Sequence, residues 1–168
     1  MRVPIEELIK TYQTSLFSAS FAILKNTEDA NDVVQETFIA YYKLKKEYES
    51  EAHLKAWLLR VTVNKSRDLR RTYWFRNRQD LNWEDLNLTE ADTLIKDEND
   101  KAKELYRSIM NLAETLRVVI HLYYYEDLSV KEIATILKVT EASVKMRLSR
   151  ARKQLKNTLQ EEWADDES

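Results

Sequence analysis

The sequence predicts an all-helical protein of two small domains joined by an acidic linker. Glycine is absent and proline occurs once in 168 residues, which disfavours β-sandwiches, β-barrels and glycine-rich phosphate loops. Apolar residues recur at helical spacing on both sides of a non-periodic acidic segment. We therefore expect domains at residues 1–75 and 102–160, a linker at 76–101 and an acidic tail at 161–168.

Three helices are predicted in the N-terminal domain. The first begins at Pro4, a residue favoured at the first helical position, and ends near Lys25. The second begins at Thr27 or Asp29, and the third runs from about residue 51 to residue 73. Apolar periodicity in the second and third helices predicts these inward residues: Ala30, Val33, Val34, Thr37, Phe38, Tyr41, Leu44, Leu54, Trp57, Leu58 and Val61.

The C-terminal domain is predicted to contain one long helix followed by a helix-turn-helix. The long helix begins at Lys101, and two helix starts then follow in close succession. Ser129 and Glu132 form a capping box, in which each side chain accepts a hydrogen bond from the other residue's backbone N–H. Thr140 is the N-cap of the last helix. Only residues 137–139 connect the two helices, which is typical of a helix-turn-helix.

The last predicted helix is apolar on one side and basic elsewhere. Charged helix faces are usually only solvated, so a lysine and arginine cluster alone would favour that reading. Here no acidic residue interrupts the segment from Lys145 to Lys156, although the chain carries a net charge of −2. This helix also stands second in a helix-turn-helix, where it can enter the major groove. Together these features predict DNA binding.

Composition excludes several other classes. The chain has no cysteine, so it has neither disulfides nor thiolate metal ligands. His53 and His121 lack a flanking ligand or nucleophile pattern, so neither an enzyme nor a metal or cofactor site is expected. The first residues lack the apolar core of a signal peptide, and no run has membrane-spanning length. We expect a cytoplasmic protein without a small-molecule substrate.

Three stretches closely resemble bacterial extracytoplasmic function (ECF) sigma factors. They are DANDVVQETFIAYY at 29–42, HLKAWLLRVTVNKSRDLRR at 53–71, and the helix-turn-helix at 128–155. The resemblance implies binding to core RNA polymerase and recognition of the −10 and −35 promoter elements. It also implies regulation by an anti-sigma factor, in many relatives a membrane-bound protein. A stand-alone helix-turn-helix regulator is the alternative, and the N-terminal stretches count against it.

The resemblance also assigns roles to individual positions. Polymerase docking falls on Asp32, Gln35 and Glu36. In −10 recognition, Tyr48 is the stacking group in the loop at 45–50 and Asn64 reads a base, while the phosphate contacts are Arg60, Lys65, Arg67, Arg70 and Arg71. In −35 recognition, the base contacts are Lys145, Met146, Ser149 and Arg150, and the backbone contacts are Arg147, Arg152 and Lys153.

Two positions depart from the family pattern. Lys138 occupies the turn where relatives usually have glycine, which costs about 1 kcal/mol if the left-handed conformation is kept. Leu112-Ala113 replaces a common Leu-Pro. Both departures concern local geometry more than function.

Overall fold

The computed structural model describes residues 2–45, 47–76 and 100–167, with side chains described for 2–45, 47–72 and 100–158. These residues form helices and connecting loops without a β-strand. The helices fall into two compact units, which confirms the predicted all-helical, two-domain class. The first unit contains α1 (Ile5–Leu24), α2 (Thr27–Leu44) and α3 (Glu51–Arg76). The second contains α4 (Asp100–Met110), α5 (Glu114–Ile120), α6 (Val130–Leu137) and α7 (Glu141–Glu167).

Most of the predicted linker lies outside the described residues, as does residue 46 in the predicted loop at 45–50. No helix of the described ranges is both long and apolar enough to cross a membrane.

Each helix of the first unit packs against the other two. The predicted inward face of α2 is confirmed from Ala30 to Tyr41, all of whose predicted residues are buried. Leu44 was wrongly predicted to face the core, since 58% of its surface is exposed at the helix end. The core is completed by fully buried residues of α1 and α3: Leu8, Leu16, Ile23, Leu54, Leu58 and Leu59.

The ends of α1 and the start of α2 differ slightly from the prediction. Pro4 has ψ 142° and lies before the first helical residue, so α1 begins one residue later than expected. Lys25 ends α1 in the left-handed conformation with φ 51°, and its N–H donates to the Phe21 carbonyl. The N-cap of α2 is Asn26, whose Oδ1 accepts from the Asp29 N–H at 2.9 Å, so the helix starts at the first predicted alternative.

Helix α3 buries part of its predicted inward face and two hydroxyl residues as well. Leu54 and Leu58 are fully buried, and Trp57 is half-buried. Val61 is only half-buried, whereas Thr62 and Ser66 are completely buried. The Ser66 hydroxyl donates to the Thr62 carbonyl at 2.7 Å and lies 2.8 Å from the Ser20 hydroxyl of α1. Thr62 Oγ1 lies 3.1 Å from Thr37 Oγ1 of α2. These hydroxyl pairs satisfy polar groups that would otherwise destabilise the core.

The long helix predicted from Lys101 is interrupted at residues 111–113. Ala113 is extended, with φ −56° and ψ 146°, and it precedes the first residue of α5. Helix α5 then continues into one π-helical turn, His121–Tyr125. This turn closes through the Glu126 N–H, which donates to the His121 carbonyl at 3.3 Å. The single-helix prediction was therefore wrong, and the chain changes direction before it reaches the helix-turn-helix.

The last helix continues into the predicted acidic tail. Helix α7 runs to Glu167, so residues 161–167 are helical. Helix α7 packs against α4, α5 and α6. Its predicted apolar side is confirmed, since four residues at helical spacing are buried: Val144, Leu148, Ala151 and Leu155.

Candidate nucleic-acid interfaces

The turn before α7 has the predicted helix-turn-helix geometry. The capping box is present, with Ser129 Oγ accepting from the Glu132 N–H and Glu132 Oε1 accepting from the Ser129 N–H, both at 3.1 Å. Thr140 Oγ1 accepts from the Ser143 N–H at 3.0 Å and so caps α7. Lys138 adopts φ 58° and ψ 45°, the left-handed conformation that glycine favours. The connection therefore forms without glycine.

Helix α7 presents most of its basic residues to solvent. The exposed predicted DNA contacts are Lys145, Met146, Ser149, Arg150, Arg152 and Lys153, while Arg147 is half-buried. Because the buried stripe fixes the rotation of the helix, these side chains project from the faces away from the core. Met146 is 46% exposed in this basic surface, where a flexible apolar side chain can contact a thymine methyl group.

Arg152 makes contacts that the sequence did not predict. Its Nε donates to the Tyr124 hydroxyl at 2.7 Å. Its guanidinium carbon lies 5.7 Å from the ring centroid of Tyr123 and 5.5 Å from that of Tyr124, within the range of cation–π attraction. Both tyrosines belong to the π-helical turn, so this turn reaches the side of α7.

Beneath the same turn lie ionisable side chains whose partners the sequence did not predict. His121 and Glu126 are 2% and 4% exposed, and His121 Nε2 lies 3.2 Å from Glu126 Oε1. The His121 ring stacks on Tyr125, with 5.3 Å between centroids. Arg117 is also buried, and its Nη1 donates to the Leu112 carbonyl at 2.9 Å. Periodicity alone could not reveal these partners, because they meet across the break in the helix and the π turn.

A buried tyrosine completes this part of the second unit. Tyr106 is 3% exposed, and its ring meets the Tyr125 ring edge to face at 5.9 Å. Burial raises the pKa of the Tyr106 phenol well above its usual value, with a smaller contribution from Tyr125 and an opposing one from Arg117. Tyr106 therefore stays neutral and packs as part of the core.

In the first unit, α3 carries a second polar and basic stripe. Arg60, Asn64, Arg67 and Arg71 are spaced by four, three and four residues, so they lie along one side of the helix. Arg60 and Arg71 are exposed, while Asn64 and Arg67 are half-buried. The remaining predicted phosphate contacts, Lys65 and Arg70, are half-buried beside this stripe.

Tyr48, the predicted stacking group for −10 recognition, is buried in this structure and not accessible to a base. Tyr48 is 2% exposed, and its ring stacks on Tyr41 with 5.9 Å between centroids. It also packs against Trp57 at 5.6 Å and His53 at 5.5 Å. The side chain anchors the 45–50 loop to the helices, because burial of its ring against other rings is more favourable than exposure to solvent. Its polar sequence neighbours gave no sign of this.

The exposed face of α2 has both polar and apolar residues. The predicted docking residues Asp32, Gln35 and Glu36 are all exposed. Ile39 and Tyr42 continue the same side of the helix and are 51% and 62% exposed. Neither residue was predicted as a docking contact, although two apolar residues on an otherwise polar helix face indicate a contact surface. Exposed apolar side chains beside charged ones are typical of protein interfaces.

One ion pair connects the faces of α2 and α3. Lys65 Nζ lies 3.6 Å from Glu36 Oε2, and the two side chains are 36% and 61% exposed. A pair this exposed stabilises the fold by at most about 1 kcal/mol. It therefore leaves both side chains able to exchange partners. In the ranges whose side chains are described, no cluster of metal-ligating residues was found.

Comparison with protein families gives two matches that follow the two units. Residues 8–76 match the family model described as Sigma-70 region 2. Residues 102–155 match the one described as Sigma-70, region 4. The ECF RNA polymerase sigma-E factor of Haemophilus influenzae is 30% identical over 142 residues, which cover 79% of this chain and 75% of that protein. The chain belongs to the ECF sigma factor family. It is therefore an alternative sigma factor, which directs the initiation of transcription by RNA polymerase.

Other ECF sigma factors match over greater lengths. The SigX factor of Bacillus subtilis is 27% identical over 181 aligned positions, covering 99% of this chain and 91% of that protein. The fold is similar to that of the sigma factor RpoE solved in complex with the anti-sigma factor NepR from Bartonella quintana. That match has a TM-score of 0.68 and 20% identity, and it covers 92% of this chain and 96% of the other.

Proposed function

We propose that this sigma factor binds core RNA polymerase through the exposed face of α2 and recognises two promoter elements. Helix α3 reads the −10 element, and α7 reads the −35 element. The observation that carries this proposal is the presence of two separate basic helices, one in each unit, together with a third exposed face that is acidic and apolar. A stand-alone repressor would need only one basic helix.

The polymerase-docking role is supported by the composition of the α2 face. Asp32, Gln35 and Glu36 supply acidic and polar groups, while Ile39 and Tyr42 supply exposed apolar area. Negative charge disfavours DNA, whereas tyrosine flanked by polar residues is frequent at the energetic centre of protein interfaces. We therefore place the docking surface at these five residues.

For −10 recognition, the support is the stripe on α3. Arg60 and Arg71 are exposed at its two ends and suit phosphate contacts. Asn64 lies between them, and its carboxamide can donate to and accept from a base edge. Since Tyr48 is buried, we do not assign it a base-stacking role.

The proposal also covers the lack of catalytic activity, the cellular location and the regulation of the protein. The protein has no catalytic activity of its own and acts in the cytoplasm, where core polymerase and the chromosome are. An anti-sigma factor binds it, by analogy with RpoE, which was solved in complex with NepR. Helix α2 and the two basic helices are the surfaces that such a partner would have to cover to prevent transcription.

Complex formation with core polymerase tests the docking assignment. The wild-type chain should co-elute with core polymerase in gel filtration. Tyr42→Ala should weaken binding by about tenfold, because a tyrosine that becomes buried in an interface commonly contributes about 1–2 kcal/mol. The matched control is Gln13→Ala on the exposed side of α1, which should bind normally. A wild-type chain that forms no complex would contradict the sigma-factor assignment in favour of a stand-alone regulator.

A further inference from the structure

The contact between Arg152 and the π-helical turn links the recognition helix to the helix that precedes the helix-turn-helix. The Nε–Oη hydrogen bond is 2.7 Å long and joins residues 28 positions apart. Tyr124 is 51% exposed, and Arg152 is exposed as well, so the pair lies on the surface of the unit. Surface arginines usually sample many rotamers, whereas this one is held by a hydrogen bond and two aromatic faces.

The tyrosine is itself held in position. The rings of Tyr123 and Tyr124 meet edge to face, with 4.9 Å between centroids and an interplanar angle of 77°. The π-helical turn that carries them is fixed on its inner side by the buried His121–Glu126 pair. Tyr124 is therefore presented to α7 by a rigid support.

Arg152 stands on the side of α7 that also carries other proposed DNA contacts. Lys145, Ser149 and Arg152 are spaced by four and three residues, so they follow one another along the helix. The bond to Tyr124 uses Nε of the guanidinium. That bond does not use the N–H groups of the two terminal nitrogens, which can form bidentate contacts to phosphate.

We propose that Tyr124 is a positioning residue that holds Arg152 ready to bind a promoter phosphate. The inference rests on the proposed −35 role of α7. An arginine side chain loses rotamer entropy when it is fixed, and prior fixation by Tyr124 reduces the entropy that must be lost on DNA binding. The tyrosine thus contributes to promoter affinity through Arg152.

A double-mutant cycle on the full chain bound to core polymerase tests this proposal. The probe is a promoter selected from a random DNA library by the wild-type holoenzyme, and its affinity is measured at several salt concentrations. Arg152→Ala should weaken binding by about tenfold and lower the salt slope by about one, because one phosphate contact is lost. Tyr124→Phe should weaken binding roughly threefold with an unchanged slope, since the charge remains.

The decisive comparison is the double variant. Tyr124→Phe should have no further effect when Arg152 is already alanine, whereas a merely structural tyrosine would weaken binding in both backgrounds. Tyr125→Phe, a change at the adjacent exposed tyrosine, is the control and should leave affinity unchanged.

Two results would overturn the proposal alone: unchanged or tighter binding by Tyr124→Phe, or a loss that persists in the Arg152→Ala background. A wild-type holoenzyme that selects no promoter would instead overturn the proposed function, and the inference with it.

Discussion

Lys138 shows how a single residue can depart from a family pattern while the fold is kept. The helix-turn-helix needs a left-handed residue after its first helix, and Lys138 adopts φ 58° to supply it. Lys25, Lys45 and Asp127 adopt the same conformation elsewhere, with φ between 48° and 56°. Because the chain has no glycine, residues with side chains occupy left-handed positions that glycine would adopt at lower steric cost.

Lys138→Gly should stabilise the second unit by about 1 kcal/mol, because glycine removes the steric cost of the left-handed conformation. Chemical denaturation of the full chain gives the free energy of unfolding. Lys153→Gly is the matched control, since it places glycine within α7 and should destabilise by about 1 kcal/mol. Equal destabilisation by both changes would show that the turn does not require left-handed geometry in solution.

The burial of individual side chains could be predicted from the sequence only in part. Tyr42 and Tyr48 both lie near the end of α2, yet one is 62% exposed and the other 2%. The second lies outside any helix, so periodicity could not predict its burial. Ile39 and Tyr42, by contrast, were identifiable as apolar residues on a polar helix face.

Among the elements, α3 has the most informative packing. Its sequence predicted Val61 as a core residue, but Thr62 and Ser66 face the core. Apolar periodicity identified Leu54 and Leu58 but missed Thr62 and Ser66, because small hydroxyl residues can be buried when they pair with one another. The partners, Ser20 and Thr37, lie on the other two helices, so the pairing depends on tertiary structure.

The Ser20–Ser66 bond should be worth measurable stability. Because the Ser66 hydrogen is donated to the Thr62 carbonyl, Ser20 is the donor between the two hydroxyls. Ser66→Ala should therefore lower the free energy of unfolding by about 1–2 kcal/mol, since it removes the acceptor of a buried donor.

The double change Ser20→Ala and Ser66→Ala should cost less than the sum of the single changes, as measured by chemical denaturation. The control is Ser18→Ala, whose hydroxyl bonds only to the Thr14 carbonyl one turn earlier and should matter by less than about 0.5 kcal/mol. Strict additivity would show that the two hydroxyls do not interact in solution.

The sequence predicted the architecture of the whole molecule more accurately than the positions of individual side chains. The helix-turn-helix, its caps and the two-unit architecture follow from local signals, since capping and periodicity depend on neighbouring residues. The break at residues 111–113 and the π-helical turn interrupt the helical periodicity, and the buried ionisable side chains meet their partners across these interruptions. They therefore became visible only in the structure.

In the proposed function, promoter recognition is divided between the two units. The two units are similar to Sigma-70 regions 2 and 4, and each carries one basic helix. Two weak readers on one chain can bind tightly together, because docking on polymerase supplies a high effective concentration of each. Neither helix then needs high affinity alone.

Run-off transcription from a random promoter library by reconstituted holoenzyme tests whether α3 and α7 recognise separate promoter elements. Wild-type holoenzyme should select promoters with two separate conserved blocks. Asn64→Ala should relax selection roughly tenfold in the downstream block only, and Arg150→Ala should do so in the upstream block only, since each loses a base contact. Holoenzyme formation by both variants is the control. Selection of a single block, or relaxation of the same block by both variants, would contradict separate recognition by α3 and α7.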